Sequence, residues 1–387
     1  MLKNENIIIF SSDDWKSGLK SSKYHIAKHF SRHNKVLFVN SIGLRNPGIN
    51  KSDISRIFAK LFSFFSGYHK VSDNLFVCTP VVVPFHSFRG VKSINANLLV
   101  WFIRLMMFRL SMKRPILIIF MPNVKDVIGR LNEKCVVYYC IDELKGYREV
   151  DRNVFEKDET ELLRRADCVV TCSAELNEIK KKSNPHTYYI PHGVEWAHFR
   201  SALNPQLPIP RDIEEFRKPI IGFYGFISDD WIDFALLDHM AVVHPEWSVV
   251  LIGRSKGDIN KRLKTANIHF LGIRSFEELP AYNKAFDVSI IPFVINQLTM
   301  SSNPLKLFEY LSSGKPVVSV DIPEVRNHAA WVKIASSHEQ FVRHIEECLL
   351  EDTLECRLMR SDAMRNETWE NRIDLLSRII NEHTHEQ

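Results

Sequence analysis

Asn303-Pro304-Leu305-Lys306-Leu307-Phe308-Glu309-Tyr310-Leu311-Ser312-Ser313-Gly314-Lys315-Pro316-Val317-Val318-Ser319 is the stretch on which the reading of this chain turns. Pro304 suits the first turn of a helix, where a missing N–H costs nothing. Gly314 suits the helix C-terminus, and Pro316 stops the helix from running into the apolar strand that follows. A helix N-terminus at Ser302-Asn303 presents backbone N–H groups, and such an end binds phosphate. Lys306, one turn in, adds a cation. Glu309 follows with a carboxylate able to accept hydrogen bonds from vicinal hydroxyls such as those of a ribose.

Outward from this stretch, short β-branched runs alternate with helical segments. Strands are expected at 7–10, 36–39, 75–77, 116–120, 136–139 and 168–171, with helices at about 20–33, 94–112 and 151–166. After the Pro-rich stretch 204–210 the series restarts, with strands at 220–224, 249–252, 268–271, 288–291 and 317–320. Near-continuous apolar strands separated by helices indicate parallel sheets covered on both faces. The expectation is an α/β chain of two doubly wound, Rossmann-like domains facing a cleft. A final helix over about 354–380 is long enough to cross back onto the first domain. The expected division is 1–195 with 365–387, and 196–364.

Composition narrows the function classes. With 45% hydrophobic and 25% charged residues in 387, the chain can bury a sizeable core and is not intrinsically disordered. Only 14 glycines argue against a phosphate cradle built from several of them. A net charge of +5 suits anionic ligands or surfaces without suggesting a nucleic-acid coat. Seven cysteines without a CxxC spacing read as small core hydrophobes in a reducing cytosol. The start, MLKNENIIIFSSDDW, reads as a first strand and not as a signal peptide.

The stretch NPLKLFEYLSSGKPVVS resembles the nucleotide-sugar-binding signature of GT-B glycosyltransferases, in the branch resembling glycosyltransferase family four. Three further segments agree in order. Ile190-Pro191-His192-Gly193-Val194-Glu195 through Phe199 resembles the family's domain-junction segment. Leu271-Gly272-Ile273-Arg274 through Pro292-Phe293 resembles its base-binding region, and Thr368-Trp369-Glu370-Asn371-Arg372 the opening of its crossover helix. The resemblance implies a GT-B architecture and a retaining glycosyltransferase of bacterial surface-polysaccharide type, with no obligatory cofactor or metal. The donor would be a UDP- or GDP-linked sugar, and the acceptor a glycan or glycolipid. Donor-side residues would be Glu309, Lys306, Asn303, Ser302, Pro304, Arg254, Gly225, Ile273 and Arg274. Two departures stand out: Ser301 where many relatives have Glu, and Gly222 through Asp230 where many carry an Arg and a Lys. The diphosphate would then fall to Lys306, Arg254 and the helix end at 302–304.

In the first domain, Asp13 and Asp14 follow strand one, and Asp142 follows the strand 136–139, where an open α/β sheet presents its ligand edge. They are candidates for binding an acceptor hydroxyl or stabilising a developing positive sugar, and equally for helix caps. His192, at the junction, is either catalytic or a core histidine. His25, His29 and His33 share one predicted helix face but lack an acidic or cysteine partner in sequence, so no metal site is expected. Residues 86–125 carry seven Lys/Arg and no Asp or Glu, and 56–65 has the same basic-apolar character. Arg104 and Arg109 interrupt any span, leaving a peripheral contact with an anionic membrane or a buried helix. The expected location is the cytoplasm or the inner face of the cell membrane, without nucleic acid as a partner. Two rival functions share these features: a GT-B-fold nucleotide-sugar epimerase and a non-catalytic sugar-binding relative.

Overall fold

Ile7, Ile8, Ile9 and Phe10 are all buried, because the strand they form is packed on both faces. In the computed structural model, which describes residues 1–17, 20–41, 67–80, 89–143 and 152–385, this is β1 (Asn6–Phe10). The chain divides into two units, Met1–Pro191 with Arg372–Gln387, and His192–Asn371.

The first unit is built on β1 to β8: β2 (Lys35–Val39), β3 (Tyr68–Ser72), β4 (Leu75–Cys78), β5 (Ile116–Ile119), β6 (Cys135–Cys140), β7 (Cys168–Thr171) and β8 (Thr187–Tyr189). They form one sheet in the order β3-β4-β2-β1-β5-β6-β7-β8. Every pairing is parallel except the edge hairpin β3–β4. The sequence pattern missed β3 and β8, for a shared reason. Both are edge strands with exposed positions, so neither shows a continuous apolar run.

The second unit carries β9 (Ile220–Tyr224), β10 (Ser248–Ile252), β11 (Ile268–Gly272), β12 (Val288–Ile291), β13 (Val317–Val320) and β14 (Val332–Ala335). Their order is β11-β10-β9-β12-β13-β14, all parallel. In each sheet the strand order reverses beside the first strand of its series: β1 lies between β2 and β5, and β9 between β10 and β12. In open α/β sheets that reversal opens a crevice at the strand C-termini, where ligands bind.

The expected single helix over 354–380 is two, Leu354–Ala363 and Trp369–His385. The backbone between them is taken up elsewhere. Thr368 bridges Val194, and the Val194 N–H donates to the Glu367 carbonyl at 2.8 Å. The returning chain thus lies beside the departing one. Gly193 makes this approach possible, since a Cβ there would stand 2.7 Å from the Trp369 nitrogen. Gly193→Ala is therefore expected to destabilise the fold by about 1–3 kcal/mol, the usual cost of overpacking. A thermal melt of the purified variant checks this, and an unchanged Tm would show that the junction yields freely.

Candidate functional site

In the second unit the site grows from the C-terminal end of β9. Tyr224 is buried; its N–H donates to the Tyr310 hydroxyl at 2.9 Å, and the two rings meet edge to face at 4.7 Å. Tyr310 lies on the helix Leu305–Ser312, so this contact fastens the helix to the strand end. Gly225 follows with φ +153°, its N–H bonded to the Ile252 carbonyl at 2.9 Å. Gly253, just past β10, has φ +138°, and a Cβ on it would stand 1.9 Å from the Gly225 carbonyl oxygen. Only glycine serves at that crossing.

Lys306 lies across this turn. A Cβ on Gly225 would stand 3.0 Å from Lys306 Cε and 3.5 Å from its Nζ. The ammonium lies over the rings of Phe293, 4.7 Å from the centroid, and Phe223, at 5.4 Å. Aromatic faces favour a cation there. One turn along the helix, Glu309 is 6% exposed beside Tyr224 and Tyr310. Burial pushes its carboxyl up to about 7, against the opposing pull of the Lys306 charge and the Tyr224 hydroxyl.

The helix start differs from the sequence expectation by two residues. Pro304 is the cap, with an extended φ of −71° and ψ of 102°, and the helix proper begins at Leu305. Ser302 precedes it and is already committed. Both its N–H (3.2 Å) and its hydroxyl (2.7 Å) donate to the Thr299 carbonyl. Asn303 donates through Nδ2 to Glu324 at 3.0 Å. These polar groups brace the turn after the short helix Gln297–Met300. The hydroxyl of Ser301 likewise donates to the Gln297 carbonyl at 3.0 Å, a local bond that a Glu there would not make.

Two expected donor ligands lie at the end of β11. Arg274 is held by Asp212 (2.6 Å) and the Tyr282 hydroxyl (2.6 Å) and donates to the Ile273 carbonyl (3.0 Å), so its charge is matched within the unit. Ile273 is exposed. Arg254 contributes its carbonyl to the Ile227 N–H at 2.9 Å. His192 is buried, its ring 6.0 Å from that of Trp369.

In the first unit, the expected carboxylates stand at the C-terminal edge of the sheet. Asp13 accepts from Lys23 Nζ at 3.0 Å and from the Ser21 hydroxyl at 2.9 Å, which ties the loop after β1 to the start of the helix Ser22–Phe30. Asp14, next to it, is exposed. Next in sequence, Trp15 packs on Tyr24 at 4.8 Å and Phe38 at 5.0 Å. Asp142 is half-buried just past β6, and its carbonyl accepts from the Cys140 thiol at 3.6 Å.

Glu143, which with Asp142 follows the strand and is expected to point to the same ligand edge, instead turns inward: it is buried against Lys180. Lys180, 2% exposed, lies 3.2 Å from Glu143 and 2.8 Å from Glu159, and the Tyr138 hydroxyl donates to Glu159 at 2.7 Å. Burial opposes the lysine's charge, but Cys140, Glu159 and Glu143 outweigh it and hold the ammonium above its usual range. No local sequence signal could have found this group, since its members come from three separate elements.

This order of strands and this crevice define the GT-B glycosyltransferase fold, and known structures agree. Over 99% of this chain and all of its counterpart, the fold matches sucrose-phosphate synthase from Thermosynechococcus elongatus with a TM-score of 0.72 at 14% identity. HepE of Anabaena, in complex with UDP and glucose, matches over 97% of this chain and 99% of its own with a TM-score of 0.65 at 13% identity. In sequence, residues 218–351 match the model of the family described as glycosyl transferases group 1. That segment spans β9 to β14 of the second unit. A protein of Bacillus subtilis (strain 168) named for glycosyl transfer in teichuronic acid biosynthesis, TuaH, is 28% identical over 236 residues. The match covers 57% of this chain and 58% of TuaH, so the chain spans less than two thirds of that relative's length.

The buried Lys180 group generates a prediction. Removing one partner of a buried ion pair strands the other charges, at about 3–5 kcal/mol. Lys180→Ala should therefore shift the denaturation midpoint of the first unit strongly, whereas Asp14→Asn, at an exposed carboxylate, should leave it nearly unmoved. Equal shifts in urea unfolding would contradict this division between scaffold and site.

Proposed function

We propose that this protein is a glycosyltransferase that moves a sugar from a nucleoside-diphosphate sugar to a glycan or lipid-linked glycan in surface-polysaccharide synthesis. The carrying observation is the placement of Lys306 over the Gly225 turn at the reversal point of the second sheet, with Glu309 one helical turn away. A diphosphate beside Lys306 brings its ribose toward Glu309. In this reading the lysine and the first-turn amides of Leu305–Ser312 stabilise the charge that develops on the departing diphosphate. No metal is called upon, and the anomeric configuration is retained, as the family resemblance implies. UDP is the favoured nucleotide, because HepE was crystallised with UDP and glucose and shares this fold.

On the acceptor side, Asp142 and Asp14 are the carboxylates assigned to acceptor hydroxyls. Asp13 has a positioning role through Lys23. His192 shapes the junction by packing on Trp369. The test is incubation with UDP- and GDP-linked sugars, with and without a lipid-linked glycan. Acceptor-dependent nucleotide release supports the reading. Donor isomerisation without an acceptor points to an epimerase, and no turnover to a binding protein.

Two expected outcomes sharpen the donor assignment. Glu309→Ala should weaken nucleotide binding by about 1.5–3 kcal/mol in calorimetry, the worth of a hydrogen bond to a charged group. Lys306→Ala should weaken diphosphates and leave the free nucleoside nearly unaffected. The pH dependence has a definite sign. Hydrogen bonds from ribose favour the ionised carboxylate, while burial favours the protonated form up to about pH 7. Nucleotide affinity should therefore fall as pH drops below 7, with a proton released on binding. Calorimetry in buffers of different ionisation enthalpy measures that proton, and its persistence in Glu309→Gln would assign it elsewhere.

A further inference from the structure

The helix Arg89–Arg109 is apolar on two faces, and the fold uses only one of them. Leu99, Val100, Phe102, Ile103 and Met106 are buried in the core of the first unit. Facing away, Ile94, Leu98, Trp101 and Phe108 are exposed, Trp101 by 56% and Phe108 by 83%; half-buried Leu105 lies in the same row and packs in part against that core. These five fall at i, i+4, i+7, i+11 and i+14. At 100° per residue they occupy a sector only about 80° wide and about 21 Å long.

The rims of this stripe are basic. On the same wheel Asn97 and Arg104 flank one side at about 60–80° from its centre, and Arg109 the other at about 60°. Arg104 donates to the Arg130 carbonyl at 2.7 and 3.0 Å, and Arg130 donates to Asn97 at 2.7 Å, so a second guanidinium joins that rim. Neither bond neutralises a charge. Glu133, on the same loop as Arg130, turns its carboxylate to the amides of Gly129 and Leu131. Lys113 and Arg114 are exposed just past the helix end. The expected basic stretch 56–65, including Lys60, and the side chains of Arg89 and Lys92 lie outside the described residues, and nothing here rests on them.

We infer that this face docks in the plane of an anionic lipid bilayer, with Trp101 and Phe108 entering the acyl boundary and the arginine rims on headgroup phosphates. Among the described residues no helix is long and apolar enough to cross a membrane, so the helix lies on it. A second copy is a poor occupant, because pairing two such stripes sets like-charged rims against each other. A globular partner is poorly served too. Its exposed side chains offer roughly 400–500 Å², short of the about 800 Å² per partner in a standard interface. Basic residues near an anionic leaflet and interfacial aromatics match it directly. The inference rests on the glycosyltransferase reading only for its purpose, which is to bring the first unit to a lipid-linked acceptor.

The test is co-sedimentation of the full chain with vesicles of phosphatidylcholine, alone or with about one-third phosphatidylglycerol, at low and high salt. Partition should be at least about tenfold stronger on the anionic vesicles, and lost at high salt. The double variant Trp101→Ser/Phe108→Ser and the single Arg109→Glu should each weaken it about tenfold with unchanged circular dichroism. Brominated lipids should quench fluorescence in the parent protein, and less in Trp101→Phe. The proposal is overturned if the protein ignores anionic vesicles at low salt or if the double variant binds as well as the parent. It is equally overturned if that variant instead changes the oligomeric state or the capture of a soluble protein. Sugar transfer is assayed separately on a soluble acceptor. Vesicle binding without transfer sinks the enzymatic reading alone, and transfer without vesicle binding sinks the docking face alone.

Discussion

The close crossing of two glycine backbones at the end of the second sheet is the constraint on which the geometry around Lys306 depends. Because Gly253 carries no side chain, the Gly225 carbonyl can sit where a Cβ would otherwise be, 1.9 Å away. Lys306 lies against this turn, its stem beside Gly225 and its ammonium over Phe223 and Phe293. A side chain at Gly225 would press on the end of Lys306, and one at Gly253 would collide with the Gly225 backbone. The Tyr224–Tyr310 contact then sets the rotation of that helix and with it the direction of Glu309. Strand end, glycine turn and helix start thus act as one part, positioned by the sheet core beneath.

Buried charge is handled in three distinct ways. Lys180 is compensated, enclosed with two carboxylates. Lys315 is used structurally: its ammonium donates to the carbonyls of Lys284 (3.0 Å) and Phe286 (2.6 Å) at the end of the helix Leu279–Ala285, while burial brings its pKa down to about 7. Glu309 is neither paired with a cation in contact nor spent on a backbone end, and its carboxyl titrates near neutrality. A group left in that condition at a sheet's ligand edge is a better functional candidate than one whose charge the fold has already matched. Arg274, by contrast, has its charge matched by Asp212 and its Nε bonded to Tyr282.

The helix Arg89–Arg109 shows why apolar content alone does not locate a core. One side fills the space over the sheet, and the other is equally hydrophobic yet exposed. An isolated exposed leucine needs no explanation, but a continuous stripe with basic rims is a surface with a preferred environment.

By itself the sequence determined the α/β class, the two strand series and the second unit's five strands from β9 to β13. Parallel strands buried on both faces must be apolar throughout, so their runs are visible without any fold in hand. It also marked Lys306 and Glu309 through local punctuation, a proline before and a glycine after a short helix, while Gly225 came only with the family resemblance. What it could not decide were matters of distance. The hydroxyl of Ser302 is consumed three residues back, Arg274 is neutralised by an aspartate 62 residues away, and Lys180 gathers carboxylates from separate elements. The break at 364–368 likewise follows from Val194 claiming the backbone of Glu367 and Thr368. Helical periodicity records only what neighbours along the chain permit, whereas the partners that cap a helix, match a charge or leave a face exposed come from elsewhere. Those the tertiary structure alone supplied.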